Sequence, residues 1–124
     1  DLFVLRNPGN IIPPEDASQM PAAAGAAAAV EFAVRRLGVT DAVVCGHSDC
    51  GAMKAMAEGG ENGDGALAAW LQAAGDSLSE LKRRPELAPE RPFHDRLAQA
   101  HALVQLEHLK THAPVREALV ADLA

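Results

Sequence analysis

The first half of the chain alternates short apolar runs with one long helical pattern. Leu2-Phe3-Val4-Leu5 and Ala42-Val43-Val44-Cys45 are continuously apolar. Such runs, bounded by turn formers, predict strands covered on both faces. Between them, Pro21 to Leu37 is Ala-rich and sets Val30, Val34 and Leu37 on one stripe at helical spacing. Ser18 or Gln19 stands in front as a cap, Pro21 suits a first helical turn, and Gly38 suits the position just past the end. Strand, helix, strand predicts a βαβ unit with parallel strands and a right-handed crossover. The expected fold class is therefore α/β: a parallel-core sheet flanked by helices, with the helix ending at Leu37 lying on the sheet.

The second half reads as helices. Gly51 to Glu58 is the first. Gly59 to Gly65 is an acidic connector that lacks the residue order of a calcium loop. Ala66 to Ala73 predicts a short helix with Leu67, Trp70 and Leu71 as its buried edge. Another is capped by Asp76 or Ser77 and ends near Arg84, before Pro85. Phe93 to Thr111 is the longest of these, and Pro114 starts a final helix with Val115, Leu119 and Leu123 as its stripe. His101, His108 and His112 fall close to one line. His108 and His112 could chelate a metal across one turn. No acidic cluster adjoins them and Lys110 sits beside them, so they read as surface or interface histidines. Arg6 to Pro14 is a loop, whose Arg and Asn side chains are expected to bond loop backbone rather than an anion.

Composition narrows the partners. A net charge of -6 argues against a nucleic-acid footprint. No run approaches a membrane span, and nothing at Asp1 looks like a signal peptide. Cys45 and Cys50 are the only cysteines, too few for a disulfide framework and suited to a reducing, cytoplasmic setting. With no Tyr and one Trp, the core must be built largely of small aliphatics. At 124 residues, 1–124 is read as a single domain.

The chemistry concentrates in Gly46-His47-Ser48-Asp49-Cys50-Gly51. An imidazole and a thiol stand where an expected strand turns into a helix, the edge at which open α/β sheets hold ligands. His and Cys are favoured zinc ligands, and a helix start favours thiolate and attracts anions. One His-x-x-Cys supplies half of a tetrahedral site, and a buried cysteine beside a capped turn would have the same spacing. Cys45 reads as a small buried hydrophobe.

Read from Glu31-Phe32-Ala33 through the second apolar run to Gly46-His47-Ser48-Asp49-Cys50-Gly51, the chain resembles the second signature of the β-class carbonic anhydrases, with Ala42 smaller than that pattern prefers. Arg6-Asn7-Pro8-Gly9-Asn10 is similar to that family's Arg-Asn-x-Gly-Asn, and Gln105-Leu106-Glu107-His108-Leu109 and Pro114-Val115-Arg116 to its late helices. The first signature, Cys-x-Asp-Ser-Arg, does not occur in these residues; it would lie upstream of Asp1, and a closing strand would follow Ala124. The chain is thus expected to be the middle portion of a longer one. The resemblance implies a zinc enzyme that reversibly hydrates carbon dioxide to bicarbonate and a proton. It makes His47 and Cys50 metal ligands for Zn2+ and turns the Gly51 backbone N–H toward the bicarbonate oxygens. It also implies a homodimer or higher even homo-oligomer. Two strands and several Ala-rich helices leave apolar surface that one copy cannot cover, so an interface above roughly 1,000 Å² is expected with a second copy or with the missing segments. Two alternatives remain: a non-catalytic binding or structural homologue, and a related zinc hydrolase acting, for example, on carbon disulfide. With two family ligands in hand, these residues alone are expected to hold zinc weakly and to hydrate carbon dioxide poorly.

Overall fold

The computed structural model describes residues 1–16 and 21–123. Its α-helices are α1 (Pro21–Glu31), α2 (Gly51–Ala57), α3 (Ala66–Leu71), α4 (Asp76–Arg83), α5 (Phe93–Lys110) and α6 (Ala113–Leu123). α5 is the spine: α4 packs along it, α2 crosses it, and α6 bridges it to α1. Where they meet, Met53, Met56, Leu71, Leu81 and Leu97 are buried with Ala74 and Ala100. Small residues let the helix backbones approach. The two methionines, one turn apart on α2, fill the irregular space left over. Each large side chain so buried contributes about 1.5–3 kcal/mol. Among the described residues no helix is long and apolar enough to cross a membrane.

The expected sheet is not observed. Among the described residues there is no strand, so neither the α/β class nor the parallel βαβ unit holds. Leu2–Leu5 and Ala42–Cys45 keep their apolar character, but they form no ladder. Leu2 is 90% exposed and Val43 87%. An apolar run is only a candidate strand; it becomes one when a neighbouring edge takes up its N–H and C=O groups.

The helical boundaries follow the sequence more closely, with local differences. α2 and α5 begin where expected. α1 passes at Phe32 into a π-helical turn, Phe32–Arg36, in which the Leu37 N–H reaches back to the Phe32 carbonyl at 3.1 Å. Gly38, at φ +64, then lets the Val39 N–H close on the Ala33 carbonyl at 3.2 Å, the C-terminal role expected of it. The wider turn rotates the stripe: Val30 is buried, whereas Leu37 is exposed. On α3, Ala68 and Leu71 form the buried edge and Leu67 faces out; Trp70 Nε1–H donates to the Pro8 carbonyl at 2.7 Å. Neither Asp76 nor Ser77 caps α4. Ser18, Gln19 and the Leu123 side chain lie outside the described residues.

His101, His108 and His112 are the largest departure, because they are buried. His101, Gln105 and His108 on one face of α5, and His112 just past its end, turn onto the Gly9–Pro13 loop. A Pro- and Gly-rich loop has no ladder to satisfy its backbone, so these side chains do it. His101 Nε2–H donates to the carbonyls of Gly9 at 2.6 Å and Asn10 at 3.0 Å. Gln105 Oε1 accepts the Ile12 N–H at 2.8 Å. His108 Nδ1–H donates to Ile12 O at 2.8 Å, and its Nε2 meets the Asp76 carboxylate at 2.7 Å. His112 Nε2–H donates to Pro13 O at 2.8 Å. His108 and His112 are thus engaged with loop carbonyls and, for His108, with the Asp76 carboxylate, and are not a chelating pair.

Candidate functional site

A cavity of about 160 Å³ opens where this clamped loop faces the Cys45–Cys50 turn. Arg6 and Asn10 line one side, Cys45, His47 and Cys50 the other, and Met53, Ala98 and His101 the floor. The two motifs that carry the family resemblance, 36 positions apart from Asn10 to Gly46, thus form the two walls of one space. Gly9 makes the approach possible. At φ +82, a side chain there would be strained, and its Cβ would stand 3.0 Å from the Cβ of Ala52 on α2, too close without a local shift. Asn10, at φ +53, buries an amide nitrogen that has no hydrogen-bond partner. An unpaired buried donor on a cavity wall is a group left over for a ligand or water.

His101 closes the floor in one protonation state. Its Nε2–H is committed to the loop carbonyls, so Nδ1 accepts the Ser77 hydroxyl at 2.9 Å. Burial pushes its pKa below the usual histidine value, which keeps the ring neutral and the tautomer fixed.

The chemistry-bearing turn is built differently. His47 is exposed, and its Nδ1–H donates to the Ser48 carbonyl at 2.7 Å. That bond sets the tautomer and leaves Nε2 as the nitrogen available to a metal. Asp49 adopts φ +56. Its N–H donates to Asp95 Oδ1 of α5 at 2.7 Å, and its carboxylate pairs with Lys54. The Lys54 hydrogen bond holds the Asp49 carboxyl below the usual carboxylate range, so this side chain is committed to α2. Cys50 is buried as the N-cap of α2, and Gly51 opens that helix. Cys45 is exposed, its thiol near the Gly46 carbonyl at 3.7 Å, and so is not the buried hydrophobe its apolar neighbours implied.

Of the expected site residues, His47 and Cys50 share the cavity, and Gly51 follows them directly. Among the described residues no group of three or more His, Cys, Asp or Glu is arranged to hold a metal ion. An imidazole and a thiol on one turn suit zinc chemically, but they are two ligands where a site takes three or four. Sequence reasoning missed Asn10, Asp95 and His101. His101 had a signal: a polar stripe on an otherwise core helix, beside a loop in need of donors. Asp95, 46 positions from its partner, had none. A second cavity of about 270 Å³ lies between α4 and α5, but its Arg83 and Arg84 are already paired with Glu80.

The family model for carbonic anhydrase matches residues 1–123. A carbonic anhydrase of Pseudomonas aeruginosa is 42% identical over 120 residues, covering 96% of this chain and 52% of the relative. Carbonic anhydrase 1 of Escherichia coli O157:H7 is 42% identical over 122 residues, covering 93% of this chain and 51% of the relative. The solved structure of the β-carbonic anhydrase CcaA superposes with a TM-score of 0.77 at 31% identity, covering 96% of this chain and 52% of that one. The chain spans about half the length of the curated relatives it matches.

Proposed function

The chain belongs to the β-class carbonic anhydrase family, and on that premise we propose that it takes part in zinc-dependent hydration of carbon dioxide to bicarbonate and a proton. The observation that carries this reading is the single cavity walled by both family motifs, with His47 and Cys50 on one side and the unpaired Asn10 amide on the other. His47, through Nε2, and Cys50, through its thiolate, are the proposed zinc ligands. Zinc, when bound, lowers the pKa of water to near neutrality and so supplies hydroxide at ordinary pH. The Ser48 carbonyl holds the His47 ring in the ligating tautomer. The Gly51 N–H at the start of α2 and the Asn10 amide donate to the oxygens of the substrate anion. Met53 and Ala98 keep the floor apolar around a small neutral gas.

Residues 1–124 are proposed to act as one domain. The ligand set needs a further thiolate, and the family's Cys-x-Asp-Ser-Arg is absent from these 124 residues. Exposed apolar side chains at Leu2, Val4 and Val43 support assembly into a homodimer or higher even oligomer, and two free thiols support a cytoplasmic setting. Metal analysis with a stopped-flow hydration assay tests the reading, on these residues and on the full protein. One zinc per subunit and rapid hydration are expected of the full protein, with weak zinc and poor hydration from the 124 residues alone. A full protein that carries the first signature yet is metal-free and inactive would refute it.

A further inference from the structure

Asp49 stands between the two proposed ligands in a backbone conformation that disfavours a side chain. At φ +56 it occupies the left-handed region, which a non-glycine residue keeps only when its surroundings hold it there. Its own carboxylate pairs with Lys54. What fixes the backbone is the Asp95 carboxylate, which accepts the Asp49 N–H at 2.7 Å and is itself only 12% exposed.

The local sequence explains why Asp95 is free to do this. It is the third residue of α5, where a carboxylate ordinarily folds back onto the N-cap N–H of its own helix. Here the N-cap is Pro92, which has no N–H. The carboxylate instead reaches across to the turn, while remaining at the helix end that favours negative charge. His94 stands beside both carboxylates, with Nε2 at 3.5 Å from Asp95 and 3.8 Å from Asp49.

We infer that Asp95 is a positioning residue for the metal: by holding the Asp49 N–H it sets the turn that presents His47 and Cys50 together. This rests on the zinc reading above, and it makes separate demands. A hydrogen bond that stabilises an unfavourable φ is replaceable in two ways. Asp95→Asn keeps an acceptor oxygen, and Asp49→Gly removes the need for one.

The test measures zinc affinity of the full protein by competition with a chromophoric chelator, alongside exchange of the Asp49 amide proton by NMR. Asp95→Ala is expected to weaken zinc binding about 10–100-fold. D95N should lose far less, and the double variant D49G/D95A should recover most of the loss. D95A with parental affinity would overturn the inference, as would D49G failing to restore a folded D95A protein. D95N as damaging as D95A would assign the effect to charge rather than to the bond, and would also overturn it. Should D95A not fold, the comparison of D95N with D49G/D95A carries the same decision. If the parent binds no zinc, the functional reading falls and the amide proton decides for Asp95. It should be protected in the parent and in D95N and exchange freely in D95A; equal exchange in all three rejects the role.

Discussion

The Asn7–Glu15 loop and the Ala42–Cys50 stretch line the same cavity and are held by contrasting means. The loop is anchored along its length. Ile11 and Pro13 are buried, and its backbone groups are taken up by His101, Gln105, His108 and His112. Glu15 continues the anchoring, its N–H bonded to Thr111 and its carboxylate to the Ala113 N–H. The facing stretch has Val43 and His47 exposed and one backbone bond to α5, through Asp49. Stability resides in the wall with little reactive chemistry; of the proposed metal ligands, His47 is exposed on the other wall and Cys50 is buried where that wall enters α2. Such an arrangement leaves ligand-bearing backbone at the low-stability end of the molecule, where it can adjust to what it binds.

Substitutions on the two walls should therefore fail in different ways. The largest expected effect is on the lightly held wall: His47→Ala should abolish stoichiometric zinc and reduce hydration to the uncatalysed level. Its metal-free denaturation midpoint should stay within about 0.5 kcal/mol of the parent, since an exposed side chain is removed. A large loss of apo stability in H47A would break the contrast. On the anchored wall, His101→Leu strips partners from two loop carbonyls and the Ser77 hydroxyl. It should destabilise by about 3 kcal/mol in urea titration, with activity lost only as the fold is lost.

Gly51→Pro sharpens the comparison further. Cys50, at φ -74 and ψ 122, already has the backbone that precedes a proline, and nothing lies within 4 Å of a Cβ at Gly51. The substitution deletes one N–H at a tolerated position. It should lower hydration about 10²-fold while leaving stability unchanged; an unaltered rate would remove Gly51 from the anion's partners.

The smallest effect is a pH dependence confined to the anchored wall. Burial lowers the folded-state pKa of His101, so the unfolded chain binds the proton more readily. The stabilisation from its neutral ring is complete above the unfolded value near 6.5 and is lost as pH falls through the lower folded value. The difference between parent and His101→Asn stabilities should therefore shrink as pH is lowered below about 6.5. A difference independent of pH would mean that the ring binds its proton equally well folded and unfolded, so that burial does not lower its pKa.

The same contrast separates what could be read in the sequence from what could not. The starts of α2 and α5, the glycine closing the first helix and the His47–Cys50 motif all follow from local rules: capping, helical spacing and turn chemistry. Strand identity does not. Leu2–Leu5 and Ala42–Cys45 have the composition of strands, but strand formation depends on an edge elsewhere, and among the described residues none pairs with them. Burial of the three histidines also depends on a remote partner. His101, His108 and His112 read as surface residues because their acceptors are carbonyls about ninety positions away. Asp95 and Asn10 are similar, ordinary polar residues until the fold brings the other wall opposite them.

Asp95 and His101 stand on one helix, six residues apart, so about 9 Å of rigid rise separates the grip on one wall from the grip on the other. α5 works as a ruler. Point changes between the two marks alter its texture and not its length. A one-residue insertion or deletion there would turn one mark by about 100° relative to the other. It would pull the walls out of alignment and turn Ala98 on the floor with them. Along Arg96–Ala100 residue type is constrained by the buried Leu97, Ala98 and Ala100, and residue number is constrained besides by the distance between the two grips.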